Sequence, residues 1–181
     1  MTTLEELYKI AKEIHPYAYI AGGFYKDIRK GKEPKDIDIF MYSNIGYTVV
    51  CEIVSQITKM EPIHEKANCT IGKYQIVKPI KIKDRLLYGK PEDLVATFDI
   101  DIARFWIDDK GLHSTEDIEE MEFYIDSNLF NVSLFHEDEQ RSFDRRDRYE
   151  NDYGYTCLRV IREEHISKKQ IKATMSGGYN D

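Results

Sequence analysis

The hydrophobic positions of the chain change their period repeatedly, and each change indicates a new helix or strand. Leucine, isoleucine and alanine recur at helical spacing from Leu4 to Ile14, and Pro16 ends that helix. Apolar and polar residues alternate over 35–42, as on a strand with one buried face. The predicted order is helix (4–15), strand (17–21), helix (24–31), strand (35–42), helix (46–60), strands (68–83), helix (91–98) and strand (98–108).

Beyond Ser114 the pattern becomes polar and helical, and it predicts no further strong strand until the end of the chain. We therefore predict an α/β (α+β) fold, with a small mixed sheet and flanking helices, followed by C-terminal helices. The predicted division is a core of residues 1–113 and a helical portion of residues 114–181 that closes a cleft, or one compact domain that contains both.

Two aspartates interrupt the strand predicted for 35–42. On a strand, Asp36 and Asp38 point to one face while Ile37 and Ile39 point to the other. Neighbouring carboxylates repel each other, so a cation or a wet surface is needed to keep both ionised. Mg²⁺ suits such a pair because it takes oxygen ligands and keeps waters and substrate phosphates in its shell. The alternative is an ordinary half-exposed strand with its polar face in water.

Gly22 and Gly23 lie between the strand predicted for 17–21 and the helix that follows it. Such a turn lets backbone N–H groups approach a phosphate group, with a helix start behind them. Lys26 and Arg29 supply positive charge nearby. A plain strand–helix connection with a solvated basic helix face explains the same residues without a ligand.

The glycine pair, Asp27, Gly31 and the pair Asp36 and Asp38 follow one another in a definite order, with twelve residues between the glycine pair and the acid pair. This combination resembles the signature of the DNA polymerase β-like nucleotidyltransferases. It is most similar to the core of the CCA-adding and bacterial poly(A) polymerase branch and its small phage-encoded relatives. That branch carries an arginine where this chain has Lys26.

The resemblance implies transfer of a nucleoside monophosphate from an NTP to an acceptor hydroxyl, with release of pyrophosphate. It also implies two Mg²⁺ ions, for which Mn²⁺ can substitute. Catalytic and metal-ligating roles fall on Asp36, Asp38 and a third acid on a later strand. The residues implied for nucleotide binding are Gly22, Gly23, Lys26, Arg29, Arg145 and Arg148.

The third acid is expected in 98–108, where Asp99 and Asp101 share one face if the segment is a strand. Asp99 is the choice by resemblance, because a Phe-Asp pair opens this strand in the small phage-encoded relatives; Asp101 is the reserve. The second motif of the CCA-adding enzymes, Arg-Arg-Asp-Phe-Thr-x-Asn, is absent, and Thr97-Phe98-Asp99 stands in its place.

Arg145 and Arg148 belong to the run RSFDRRDRYENDYGY (141–155), which also resembles the phage relatives. Its arginines would line one side of the cleft and contact ribose or phosphate. The alternative is a surface helix held by ion pairs between neighbouring turns.

Charge is uneven along the chain, although the net charge is −7. Residues 59–90 hold eight lysines and arginines against three acids, and residues 116–152 hold thirteen acids against four arginines. The basic segment can meet a polyanion, so a tRNA-like RNA 3′ end is the first candidate acceptor. A protein or small-molecule hydroxyl is the alternative. A member of the fold that binds a nucleotide or a partner without catalysis is a further one.

The three cysteines are far apart without a C-x-x-C pair, and the five histidines are scattered. Reduced thiols indicate a cytoplasmic protein, in the host cytoplasm if the chain is phage-encoded. The same spacing predicts no zinc site. No charged-then-apolar leader opens the chain, and no apolar run approaches the roughly 20 residues that a membrane span needs, so no membrane partner is predicted.

Overall fold

A computed structural model of the chain describes residues 1–83, 85–135 and 139–162, in which helices and strands alternate. The helices are α1 (Leu4–Ile14), α2 (Phe24–Arg29), α3 (Tyr47–Thr58), α4 (Pro91–Val95), α5 (Ile118–Asp126) and α6 (Glu139–Asn151), with a 3₁₀ helix at Asp101–Ala103. The strands are β1 (Ala18–Ala21), β2 (Ile37–Met41), β3 (Ile63–His64), β4 (Asn68–Ile71), β5 (Tyr74–Val77), β6 (Lys81–Ile82), β7 (Arg85–Leu86), β8 (Phe105–Asp108), β9 (Gly111–Ser114), β10 (Leu129–Leu134) and β11 (Thr156–Arg162). Among these helices none has the length and apolar character to cross a membrane.

Seven of the strands form one mixed sheet in the order β3-β4-β5-β2-β1-β8-β9. β2 and β5 run parallel, whereas the other neighbours in this sheet are antiparallel. β1 and β2 lie side by side near the middle, with Ala21 directly opposite Asp38. The mixed sheet and its flanking helices confirm the predicted α/β fold class.

Helix α1 forms as its hydrophobic period predicts. It begins after Thr3, whose hydroxyl accepts a hydrogen bond from the Glu6 N–H at 3.1 Å. Leu7, Ile10 and Ile14 are buried along one stripe. The stripe packs against β1, β8 and α3, and so fixes α1 to one side of the sheet.

The two sides of the sheet bury different layers of side chains. Ile37 and Ile39 of β2 belong to the large core on the side of α1 and α3. Alternation along the strand turns Asp38 and Phe40 to the opposite side. A second apolar cluster forms there under α4, and its members are Tyr19, Ala21, Phe40, Leu94, Val95 and Trp106.

The predicted strand over 98–108 is wrong in its first half. The strand begins only at Phe105, and Asp101–Ala103 forms a turn of 3₁₀ helix. The Asp101 carboxylate accepts a hydrogen bond from the Ile102 N–H at 2.8 Å. Such local side-chain bonds compete with a strand ladder, so an apparent period of two did not produce a strand here.

The expectation that no strong strand follows Ser114 before the end of the chain is also wrong. β10 runs parallel to β11 in a separate two-stranded sheet. Five of the six residues of β10 are buried, so both of its faces are covered. A short run that is buried on both faces carries no alternation to reveal it. Phe130 and Val132 of β10 join the core that contains Ile39. The division of the chain into a core of 1–113 and a portion of 114–181 stays a prediction.

Asp101 anchors β10 to the rest of the fold. Its side chain is 5% exposed and accepts hydrogen bonds from both the N–H and the side-chain amide of Asn131, each at 2.9 Å. Burial raises the pKa of this carboxyl, whereas the Asn131 donors oppose that rise.

We expect Asp101→Ala to lower the free energy of unfolding by about 2–4 kcal/mol, because it leaves several buried donors without an acceptor. Urea unfolding followed by circular dichroism measures the change. Asp152→Ala is the control, since Asp152 is exposed and should change stability by less than about 0.5 kcal/mol. An Asp101→Ala midpoint equal to that of the control would contradict the anchoring role.

Candidate active site

A cavity of about 270 Å³ opens beside the turn that joins β1 to α2. Acids, arginines and apolar side chains all contribute to its wall. The lining residues are Gly23, Asp38, Phe40, Arg85, Phe98, Asp99, Ile100, Ala103, Arg141, Arg145 and Tyr149. Four of the residues predicted for the site, Gly23, Asp38, Asp99 and Arg145, therefore meet around one space.

Strand β2 presents the predicted acid pair. Asp36 is exposed just before the strand, and its Oδ1 accepts a hydrogen bond from Gln75 Nε2 at 3.3 Å. Asp38 is half-buried, and its carboxylate has no hydrogen-bond donor within 1–83, 85–135 and 139–162. Burial, and then the negative charge of Asp36, raise the pKa of Asp38 to about 6, while Arg145 opposes the shift. An ionised Asp38 would therefore gain from a nearby cation.

The glycine turn lies directly against Asp38. Gly22 has a φ of +122°, which side-chain-bearing residues rarely adopt, and its N–H donates to the Phe105 carbonyl at 3.0 Å. A Cβ atom on Gly22 would lie 3.9 Å from Asp38 Oδ2. On Gly23 it would lie 3.5 Å from the Tyr149 hydroxyl. The missing side chains let the backbone stand next to both the acid and the cavity.

Lys26 lies behind the glycine turn and does not line the cavity. Its side chain is almost fully buried, with the ammonium 3.1 Å from Asp27 Oδ1. The same ammonium lies over the rings of Tyr149 and Tyr153, at 5.3 and 5.2 Å from their centroids. The positive charge is thus held in place by an acid and two aromatic faces.

Arg29 and Arg148 are also outside the cavity wall. Arg29 forms ion pairs with Glu122 at 2.9 Å and with Asp126 at 2.8 Å, and these pairs fasten α2 to α5. Arg148 is exposed on α6. The structure therefore does not bring either residue to the cavity, and a phosphate contact by Arg29 would require its ion pairs to break.

The two candidates for the third acid occupy different environments. Asp99 lies between α4 and the 3₁₀ helix, lines the cavity with Asp38, and is 1% exposed. Its Oδ2 accepts from Ser142 Oγ at 2.7 Å, and its Oδ1 accepts from Arg145 Nη1 at 2.5 Å. Asp101 instead turns to β10 and is absent from the cavity wall.

Two polar residues of this site were not predicted. Ser142 is fully buried behind the cavity wall, where it donates to Asp99. Arg85 lines the cavity and comes from the two-stranded hairpin β6–β7. Ser142, Arg145 and Tyr149 follow one another at helical spacing, so the inward stripe of α6 was the available signal for Ser142. Arg85 was counted in the basic segment, where its neighbours gave no reason to single it out.

The acids at this cavity fit a divalent cation in their chemistry. Carboxylate oxygens are the donors that Mg²⁺ prefers, and the pair Asp36 and Asp38 suits an ion that keeps several waters. Within the described residues, however, no three His, Cys, Asp or Glu side chains are already gathered as a metal site. Asp99 faces the same cavity but is paired with Arg145.

A larger cavity, of about 660 Å³, lies elsewhere, between α1, the end of α3 and the β4–β5 turn. Its wall is mainly apolar, with Ile10, Ile57, Met60 and Tyr74 among its residues. It contains none of the predicted site residues, so its size does not make it the candidate active site.

Solved structures with a similar fold include several CCA-adding enzymes. The Thermotoga maritima enzyme complexed with tRNA matches at a TM-score of 0.54 and 17% identity, over 97% of this chain and 42% of that one. A CCA-adding enzyme complexed with CTP matches at a TM-score of 0.60 and 18% identity, over 97% of this chain and 43% of that one. The Bacillus stearothermophilus enzyme in complex with CTP matches at a TM-score of 0.59 and 15% identity, over 98% of this chain and 45% of that one. The chain thus has a nucleotidyltransferase-type fold and spans less than half the length of these enzymes.

The family is defined by a second comparison. The model of the Gabija anti-defense 2 family matches residues 3–132, which is most of the chain. The chain therefore belongs to the Gabija anti-defense 2 family. No curated protein sequence matches it.

We expect Asp38→Asn to stabilise the metal-free protein at neutral pH. The folded state binds a proton on Asp38 up to about pH 6, whereas an unfolded carboxyl of this kind releases it near its ordinary value of 3.8. Stability should therefore fall as pH rises between these values and stay lower above them. The variant escapes this loss, so we expect it to gain about 1–3 kcal/mol at pH 7 and little near pH 4.

Urea unfolding in EDTA at the two pH values measures the difference. Asp144→Asn on α6, an exposed acid whose partner is Gln140, is the matched control. A gain for Asp38→Asn that is equal at both pH values would show that the pKa of Asp38 is not its cause.

Proposed function

We propose that the protein is a metal-dependent nucleotidyltransferase that moves NMP from an NTP to an acceptor hydroxyl. The observation that supports this most is the meeting of Asp38 and Asp99 at one cavity beside the Gly22–Gly23 turn. The fold around that cavity is similar to the fold of CCA-adding enzymes. A solvated strand would not need two acids from distant segments to face one space.

In this proposal Asp36, Asp38 and Asp99 together hold two Mg²⁺ ions. Mn²⁺ can substitute for Mg²⁺ there. Bound there, the metal would neutralise the triphosphate and lower the pKa of the attacking hydroxyl. The chain itself supplies the orientation. The Gly22–Gly23 backbone lies beside Asp38 with room for a phosphate, and Phe40 and Phe98 give the cavity apolar walls.

The reaction exchanges one phosphorus–oxygen bond for another. The acceptor oxygen bonds to the α-phosphorus, the bond from that phosphorus to the bridging oxygen breaks, and pyrophosphate leaves. The hydroxyl proton passes to water or to Asp99. Arg141 and Arg145 in the cavity wall are placed to contact phosphate, and the buried Lys26 adds positive charge behind the turn. Arg29 and Arg148 would contribute only from a distance.

An RNA 3′ end is the first acceptor that we propose. Lys81 and Lys83 are exposed on the β6–β7 hairpin, and Arg85 of the same hairpin lines the cavity. These charges lead from the surface toward the site, as a polyanion would need. Lys73 does not belong to this path, since it pairs with Glu33 at the opposite end of β5.

A protein hydroxyl is the second candidate acceptor, since a protein of the Gabija system could itself be the modified molecule. The family is named for counteracting Gabija. We propose that nucleotidyl transfer is the means of that effect, whether the modified molecule is an RNA or a protein component of the Gabija system. In either case the protein acts where that system acts, in the cytoplasm of a phage-infected host.

We expect transfer of label from an α-³²P NTP in the presence of Mg²⁺ or Mn²⁺ but not of EDTA. Wild type, Asp38→Asn and the control Asp144→Asn are each given the four NTPs separately, with small RNA or with Gabija proteins as acceptor. Asp38→Asn should reduce the rate at least about 100-fold, since a bound metal ion contributes several kcal/mol of charge stabilisation.

The acceptor that becomes labelled decides between RNA and protein. Labelling that persists in EDTA, or that is equal in wild type and Asp38→Asn, would contradict the proposal. Suppression of Gabija by Asp38→Asn as effective as that by wild type would favour a non-catalytic binding role.

We also expect RNA binding to depend on salt if the β6–β7 hairpin carries it. With about three phosphate contacts to a single strand, binding should weaken roughly 20-fold as salt rises from about 50 to about 200 mM. Exchange of both Lys81 and Lys83 for alanine should flatten this slope in a filter-binding titration, whereas the pair Lys9 and Lys12 on α1, exchanged likewise, should not. Equal slopes for both double variants would remove the hairpin from the proposed RNA path.

A further inference from the structure

Helix α6 donates hydrogen bonds to both carboxylate oxygens of Asp99, the buried acid that lines the cavity. Ser142, itself fully buried, donates to Asp99 Oδ2, and Arg145 donates to Oδ1. The two donors differ in freedom, because the Arg145 side chain is 30% exposed. Ser142 is therefore a fixed contact, whereas the guanidinium of Arg145 can leave toward solvent without opening a cavity in the core.

The same guanidinium compensates more than one acid. Arg145 and Asp38 line one cavity, and the positive charge of Arg145 opposes the rise in the pKa of Asp38. Asp36 adds a third carboxylate close to Asp38. The Arg145 guanidinium thus brings positive charge to the acids where the proposed reaction would place divalent cations.

We propose that Arg145 is an internal counter-ion that competes with the divalent cation for Asp99. The proposal rests on the proposed function and concerns how its site is assembled. Asp99 becomes a metal ligand only when the guanidinium releases Oδ1, while Ser142 keeps the carboxylate oriented through Oδ2. The released guanidinium remains in the cavity wall, where phosphate offers it the bidentate partner that it loses. Arg145 is thus a positioning residue, which couples metal entry to the arrival of an anionic substrate.

A purely structural ion pair would behave differently when Arg145 is removed. A buried carboxylate that loses one ion-pair partner destabilises the fold, and a metal ion that never reaches Asp99 would not repair that loss. In the proposed arrangement a divalent cation takes over the empty position. The metal should then stabilise the variant more than it stabilises wild type.

The test is Mn²⁺ binding to the full chain without nucleotide, measured by the electron paramagnetic resonance of free Mn²⁺. We expect Arg145→Gln to bind Mn²⁺ about tenfold or more tightly than wild type, as an opposite charge at hydrogen-bond distance shifts the proton affinity of a carboxylate by one or more pK units. Arg146→Gln is the control on the same helix, because Arg146 pairs with its neighbour Asp147. In the double variant Asp99→Asn with Arg145→Gln, the gain should vanish.

Melting followed by circular dichroism, with and without Mn²⁺, gives a second readout. We expect a larger Mn²⁺-induced rise in the melting temperature for Arg145→Gln than for wild type. Equal or weaker Mn²⁺ affinity in Arg145→Gln, or a destabilised variant that Mn²⁺ does not restore, overturns the proposal. If Arg145→Gln does not fold even with Mn²⁺, Arg145→Met takes its place, since methionine keeps the apolar stem and removes the charge, and an affinity no higher than that of wild type overturns the proposal equally.

The outcomes also separate this inference from the proposed function. Wild type that binds no Mn²⁺, or binds it equally after Asp38→Asn, contradicts the metal site itself. Wild-type binding that is lost in Asp38→Asn but unchanged in Arg145→Gln leaves the metal site standing and contradicts only the competition by Arg145.

Discussion

The antiparallel pairing of β1 with β2 sets Ala21 opposite Asp38, and the arrangement of the site depends on this register. The chain leaves β1 into Gly22 and enters β2 from Asp36, so the turn and the acid pair meet at the same end of two central strands. A slip of one residue would turn Asp38 into the core and Ile39 out of it. The burial of Ile37 and Ile39 under α1 and α3 therefore holds the carboxylate at the cavity.

Charge is the feature that this fold must balance. Asp38 is half-buried without a hydrogen-bond donor in the described part of the chain, and Asp99 is buried with two donors from α6. Helix α6 therefore does more than contribute to the cavity wall. It supplies the cation and the hydroxyl that make a buried carboxylate tolerable. The chain does this within less than half the length of the CCA-adding enzymes whose fold it shares.

Local pattern was enough to predict the features that depend on residues close in sequence. Strand alternation predicts that Asp36 and Asp38 share a face, and the glycine pair that begins at Gly22 predicts the turn from β1 into a helix. Each of these predictions needs only a few neighbouring residues. The choice between Asp99 and Asp101 could not be made on the same basis, since alternation places both on the same face of the predicted strand. What separates their environments is Asn131, thirty residues further on, which binds Asp101 and leaves Asp99 to the cavity. The ion pairs of Arg29 with α5 are equally non-local.

Trp106 is the single tryptophan of the chain, and it packs in the cluster under α4 together with Phe40, whose ring also forms part of the cavity wall. Its indole is 8% exposed and stacks on His113 at 5.2 Å between ring centroids. Indole emission is sensitive to the packing and polarity of its surroundings. The protein therefore carries one indole, placed beneath the site, whose emission can be separated from that of the 13 tyrosines by exciting it at longer wavelength. Occupation of the cavity can then be followed optically without any label.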